Sequence, residues 1–203
     1  MIGQWLADAG RPLTALCACE LRSPAPFTEQ GFREFNEIYV GTLSDWGLFD
    51  GHTNTVARSN VCPQFEPPPE PGFHAFSYTV PDVAATPSSF VIAGSCESPE
   101  GPGDYRDRIV CLGDISPAGL HAKAVWVLGE MERRMAALGF TWAETTASQA
   151  YTVHDIHPFL ASELGARGAM RSGMTWHLNR PPVVDLEYEM DCRGVYLEHV
   201  LKV

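Results

Sequence analysis

Residues 116–139 have the sequence SPAGLHAKAVWVLGEMERRMAALG, and this segment decides the fold. Ser116 is suited to cap a helix N-terminus, Pro117 to occupy its first position, and Gly139 to follow its end. Most charged residues lie off the apolar stripe, whose members recur at helical spacing: Leu120, Ala124, Val127, Leu128, Met131, Met135 and Leu138. The segment therefore predicts a long amphipathic helix that packs one face on a sheet.

Strand patterns lie on both sides of this helix. Ser89–Cys96 is nearly continuous in apolar residues, which indicates a buried strand. The other predicted elements are strands at Phe73–Val80, Thr145–Val153, Gly173–Leu178 and Val183–Met190, and a short helix at Pro158–Leu164. This order predicts an α/β or α+β fold, with a long and a short helix covering one face of a mixed sheet.

The first 71 residues give weaker signals. Residues 1–35 show no clean period apart from a weak helical patch at Ile2–Ala9, and Glu37–Leu43 (EIYVGTL) is β-branched and aromatic, which favours a strand. The stretch from Gly51 ends in FEPPPEPG, where the prolines exclude regular strand pairing. We therefore predict an N-terminal extension over 1–71, with an irregular arm and a first strand, followed by the main domain over 72–203.

Composition excludes several classes of partner. The formal net charge is -11, and no basic run exceeds the Arg133–Arg134 pair, so binding to nucleic acid is not expected. No stretch approaches the roughly 18 apolar residues of a membrane span, and the N-terminus lacks the basic region of a signal peptide. The six cysteines form no CxxC pair. We expect a cytoplasmic protein with free thiols.

Several motifs resemble, in their order, the Rid (reactive intermediate deaminase, YjgF-like) family. They are Phe90–Ser95 (FVIAGS), the helix end at Gly139, Glu144–Asp155, Met170–Ser172, and Leu186-Glu187, with Arg171 and Glu187 16 residues apart. The resemblance covers about residues 88–191. It implies a fold like that of chorismate mutase and a homotrimer with sites between subunits. This chain departs from the family in its length, a polar insertion near 97–108, and Gly173 where several deaminases have cysteine.

The resemblance also implies a site that needs neither a metal nor a cofactor. Arg171 would bind the carboxylate of a small anionic substrate, which suits a planar guanidinium. Glu187 would transfer protons, and Gly94 and Ser95 would offer a backbone amide and a hydroxyl. His157 would face the pocket and hydrogen-bond the substrate. Apart from the resemblance, Trp176 has an aromatic ring that suits stacking on a conjugated substrate, although tryptophans of this chain are first expected to pack in the core or at an interface.

Simple alternation places three acids, Asp185, Glu187 and Glu189, on one face of the predicted last strand. Only the resemblance selects Glu187 among them, with Asp185 next. Two other chemistries stay open: a metal at the His154–His157 segment (HDIH), and a nucleophilic thiolate at Cys96 or Cys111.

The function predicted from these features is hydrolytic deamination of an enamine or imine acid with release of ammonia. The added length favours a pathway-specific member, for example one acting on an aminomuconate-type dicarboxylate from aromatic ring degradation. Two alternatives remain. One is a chorismatase-like enzyme acting on a ring carboxylate, and the other is a non-catalytic regulatory trimer that binds a small acid.

Overall fold

Two mixed four-stranded sheets form the framework of the chain. The computed structural model describes residues 1–81, 88–101 and 103–201. The first sheet has the order β3-β1-β2-β7 and the second the order β4-β8-β5-β6. The strands are β1 (Leu16–Arg22), β2 (Ala57–Pro63), β3 (Gly72–Tyr78), β4 (Phe90–Cys96), β5 (Ala147–Tyr151), β6 (Thr175–His177), β7 (Asn179–Arg180) and β8 (Glu189–Gly194). The mixed α+β class predicted from the sequence is confirmed.

Helices complete both halves of the fold. They are α1 (Ile2–Asp8), α2 (Glu29–Asp45), α3 (Pro117–Ala137) and α4 (His157–Phe159), the last continuing into a π-helical turn at Leu160–Gly165. The side chain of Ser116 accepts a hydrogen bond from the Gly119 N–H at 3.2 Å, as its capping role predicts. The buried face of α3 packs on β4 and β8 in the largest apolar core. Among the described helices, none has the length and apolar character of a membrane span.

The segment predicted as a strand at Glu37–Leu43 belongs to α2, so that prediction was wrong. Thr28 caps this helix by accepting from the Gly31 N–H at 3.1 Å. Phe32, Phe35, Tyr39 and Leu43 recur at helical spacing and pack inward, whereas Ile38 is 75% exposed. The apolar helical face therefore outweighs the β propensity of the β-branched residues.

The first sheet is built largely from the predicted N-terminal extension. β1 lies in the stretch without a clean period, and it pairs in parallel with β2 and antiparallel with β3. The predicted boundary after residue 71 falls between β2 and β3, which share β1 as their neighbour. Position 102 of the predicted 97–108 insertion lies outside the described residues.

The last predicted strand, Val183–Met190, forms regular pairing only from Glu189 onward. The buried Glu97 carboxylate accepts the backbone N–H groups of Glu187 and Tyr188, at 2.6 and 3.1 Å. Asp185 has a left-handed φ of 73°. Because these features interrupt the ladder, the simple alternation predicted for the three acids does not hold.

Candidate active site

A cavity of about 210 Å³ lies where β2 of the first sheet meets β4 and β8 of the second. Charged and polar groups line much of its wall, and aromatic and aliphatic side chains line the rest. The lining residues used below are Phe32, Arg58, Asn60, Gly94, Ser95, Cys96, Ser98, Glu100, Arg134 and Glu189. The cavity thus combines residues from both halves of the chain.

Glu189 supplies the acid of this cavity. Its side chain is 2% exposed, and this burial raises the pKa of its carboxyl group to about 8. The Cys96 thiol donates a hydrogen bond to Oε2 at 3.2 Å, which acts in the opposite direction on the pKa. At neutral pH Glu189 is therefore mostly protonated, and it can donate a proton to a bound molecule.

Asp191, two residues further along β8, has a more polar environment. Tyr151 Oη and Gln149 Nε2 donate to its carboxylate at 2.9 and 3.0 Å. Burial raises the pKa of Asp191 to about 6, and the hydrogen bonds oppose the rise. The two neighbouring acids therefore differ at neutral pH, with Asp191 mostly ionised and Glu189 mostly protonated.

The carboxyl group of Glu189 lies close to the backbone of Gly94, where no side chain occupies the space. The pairing of β4 with β8 shifts register between Ile92 and Ser95, which marks a bulge. A Cβ atom at position 94 would collide with Glu189 and approach the Ser59 Cα to 3.1 Å. A glycine is therefore required here by close approach rather than by a positive φ.

Arg134 holds the bulge in place. Its Nη1 donates to the carbonyl oxygens of Ala93 and Gly94, at 3.1 and 3.3 Å. Its Nε and Nη2 bind the carboxylates of Glu130 and Glu100, at 2.7 and 3.0 Å. Because its donors are already engaged, Arg134 is a positioning residue in this arrangement.

Of the two arginines that line the cavity, Arg58 is available to bind an anionic ligand. Within the described part of the chain it forms no ion pair with a carboxylate, and its guanidinium lies 4.6 Å from the ring centroid of Tyr39 and 5.5 Å from that of Phe32. Its charge lowers the pKa of Glu189, against the larger effect of burial. Stacking on α2 fixes the guanidinium while its donors stay available.

Two of the predicted site residues, Gly94 and Ser95, line the cavity. Glu187 lies elsewhere: its Oε2 is 2.7 Å from His154 Nε2 and 3.7 Å from Arg180 Nη1. Asp185 forms an ion pair with Arg106 at 2.6 Å. The structure therefore places Glu189, and not Glu187, beside Gly94 and Ser95.

The other predicted residues are not among those that line the cavity. Arg171 is exposed and donates to the Ala143 carbonyl oxygen at 3.4 Å. Trp176 donates its indole N–H to the Thr152 carbonyl oxygen at 2.9 Å, and its ring meets His157 edge-on at 5.5 Å. Catalytic roles for Arg171, Glu187, His157 and Trp176 stay predictions.

The structure also bears on the alternative chemistries. His154 contacts Glu187, whereas His157 contacts Asp155 at 2.6 Å, so the two histidines of HDIH have different carboxylate partners. Burial raises the pKa of Cys96 well above its ordinary value, with the Glu189 charge adding to the effect. A group with that pKa stays a thiol at neutral pH, which makes it a poor nucleophile.

Sequence reasoning missed Arg58 and Asn60, and it did not select Glu189. Arg58 and Asn60 lie in ARSNVCP, a segment without a strong strand pattern that was left out of the predicted sheet. Its one usable signal is alternation, since Arg58 and Asn60 are two residues apart and face the same side of a strand.

The fold is mixed α+β, and its cavity is lined by a protonated acid, Glu189, and by Arg58. The chain belongs to the 2-aminomuconate deaminase CnbZ family, whose family model matches residues 1–199. It is 49% identical over 197 residues to 2-amino-5-chloromuconate deaminase from Comamonas testosteroni, covering 97% of this chain and 78% of that protein. The deaminase relationship expected from the sequence is confirmed.

The fold of this chain is also weakly similar to that of a solved structure. It is the crystal structure of a protein of unknown function of the conserved Rid protein family, YyfB from Yersinia pestis. The TM-score is 0.40 and the sequence identity 16%, with 61% of this chain and 86% of that chain covered.

Proposed function

We propose that this protein hydrolyses an aminomuconate-type enamine or imine dicarboxylate and releases ammonia. The observation that carries the proposal is the protonated Glu189, buried in a cavity that also contains Arg58, which has no carboxylate partner among the residues that the structure describes. Membership of the deaminase family supports the reaction type, and the names of the family and of its relative support the substrate class.

The proposed reaction needs one carboxyl group and one water. Arg58 binds a substrate carboxylate, and Glu189 protonates a carbon of the enamine to give an iminium ion. Water then adds to the iminium carbon as the Glu189 carboxylate accepts a proton from it. Proton transfer to nitrogen expels ammonia and leaves a 2-oxo acid, so enamine plus water gives ketone plus ammonia. No redox change occurs, and the protein groups suffice without a metal or cofactor.

Ammonia release from 2-aminomuconate tests this function. We expect one ammonia for each substrate whose absorbance is lost, and the same rate after treatment with a chelator. Arg58→Ala should raise KM because it removes the carboxylate anchor. A folded protein that releases no ammonia from 2-aminomuconate would contradict the proposal.

We also propose that the chain works in the cytoplasm in aromatic ring degradation, as a homotrimer. The cavity proposed as the active site is lined by residues of one chain, so the proposal does not use the sites between subunits that the resemblance implies. The family resemblance supports the trimer, and the name of the chloromuconate relative supports the pathway class. The six cysteines are free thiols, which agrees with a reducing compartment. Light scattering coupled to size-exclusion chromatography tests the trimer directly, and a monomeric mass would contradict it.

A further inference from the structure

Asn60 has a buried donor without an acceptor among the described residues, and the residue lines the cavity that Glu189 also lines. The residue is 3% exposed, and within the described chain its Nδ2 has no hydrogen-bond acceptor. Ser23 Oγ donates to the Asn60 Oδ1 at 2.9 Å. This hydrogen bond holds the Asn60 side chain in place and leaves its Nδ2 without an acceptor in the described chain. A buried amide donor without a partner is destabilising, and a ligand oxygen would satisfy it.

Ser98 adds a second donor to the same cavity. It is 7% exposed, and its Oγ has no hydrogen-bond partner in the described chain. It follows β4, whereas Asn60 lies on β2. Two neutral donors from different sheets therefore line one cavity, and a carboxylate has enough lone pairs to accept from both.

Arg58 and Asn60 lie on the same strand and both line the cavity. They are two residues apart on β2, so their Cα atoms are about 6.6 Å apart on the same face of the strand. Glu189 lines the same cavity.

We propose that Asn60 and Ser98 bind the second carboxylate of the substrate, while Arg58 binds the first. This assignment rests on the proposed function and makes the pocket selective for dicarboxylates over monocarboxylates. Ser23 acts as a positioning residue, because it orients the Asn60 amide without facing the ligand. The selectivity comes from placed donors that a monocarboxylate leaves unsatisfied.

Calorimetry with muconate and sorbate tests the assignment. Both are six-carbon dienes without an amino group, and sorbate has a methyl group in place of one carboxylate. Binding is therefore measured without turnover. We expect the native protein to bind muconate about ten- to a hundred-fold more tightly than sorbate, as expected for hydrogen bonds to a charged group. Asn60→Ala should remove most of that preference and leave sorbate affinity within about two-fold.

Asn60→Asp is the second variant, because it keeps the shape of the side chain and replaces the donor with an acceptor. It should lose muconate affinity at least as much as Asn60→Ala. Ser148→Ala is the matched control: Ser148 also has a buried hydroxyl without a described partner, but it does not line this cavity. Both affinities should be unchanged in that variant.

Equal affinity of the native protein for the two acids overturns the assignment, as does an equal loss of both in Asn60→Ala. No measurable muconate binding also overturns it. Ammonia release by the native protein separates these failures from that of the proposed function. If 2-aminomuconate is deaminated and the Asn60 variants keep the native preference, the deaminase stands and the second carboxylate site does not.

Discussion

The thiol of Cys96 lowers the pKa of Glu189, the acid of the proposed reaction. Its hydrogen bond to Glu189 stabilises the ionised carboxylate and so lowers the pKa of Glu189, against the larger effect of burial. Since the protonated form donates the proton, kcat/KM should fall as the pH rises through about 8.

Cys96→Ala should move this fall in kcat/KM to higher pH, because the loss of a donor to the carboxylate raises the pKa of Glu189. The measurement is the pH profile of ammonia release in the native protein and the variant. A fall at an unchanged or lower pH in the variant would show that the thiol does not stabilise the ionised form.

At the scale of single residues, the sequence predicted Gly94 and Ser95 as site residues but did not predict Glu189 as the acid. Gly94 and Ser95 stand out because they interrupt an apolar strand. Glu189 was one of three acids in an alternating pattern, and nothing in DLEYEM shows that Glu97 accepts the N–H groups of Glu187 and Tyr188. A contact between residues about 90 positions apart decides which acid becomes buried.

At the scale of elements, the ion pair between Lys123 and Glu97 joins α3 to the end of β4. Both side chains are fully buried, and Lys123 Nζ lies 3.2 Å from Glu97 Oε1 and 2.9 Å from the Val110 carbonyl oxygen. Lys123→Met should therefore lower the free energy of unfolding by about 3–5 kcal/mol, because it leaves a buried carboxylate without its cation. Urea denaturation measures the change.

Arg133→Met is the control on the same helix. Arg133 also pairs with a glutamate, Glu130 at 2.6 Å, but 65% of its side chain is exposed. Its removal should change stability much less, since solvent screens exposed pairs. Similar losses in the two variants would mean that burial of the Lys123–Glu97 pair does not set its importance.

The elements with strong local signals were predicted well, and those that depend on distant partners were not. The capping residues and the apolar stripe of α3 predicted the two ends of this helix closely. In α2, the β-branched residues at positions 38 and 40 favoured the prediction of a strand. The apolar face that makes this segment a helix packs against residues outside the helix. β1 has little pattern of its own and is defined by pairing with β2 and β3.

On the scale of the whole molecule, burying acids between two sheets makes stability depend on pH. The pKa values of Glu189 and Asp191 rise to about 8 and about 6, from ordinary values of 4.5 and 3.8. Between about pH 4 and pH 8 these two acids therefore bind more protons in the native state than in the unfolded state. The stabilisation is present below that window and is lost as the pH rises through it.

Glu189→Gln should remove most of this dependence. Relative to the native protein, the variant should gain about 2–4 kcal/mol of unfolding free energy between pH 5 and pH 8.5. Denaturant unfolding at the two pH values gives the comparison, in which groups common to both proteins cancel. Parallel pH curves for the two proteins would contradict a buried, protonated Glu189.

The most direct test of the proposed active site compares Glu189→Gln with Glu187→Gln on 2-aminomuconate. The two residues lie two positions apart, but only Glu189 lines the cavity. We expect Glu189→Gln to lower kcat for ammonia release by about 10²–10⁴-fold and Glu187→Gln to stay within a few-fold of the native protein. The opposite result, with loss of turnover in Glu187→Gln alone, would move the proton-transfer role to the residue that the family resemblance selects.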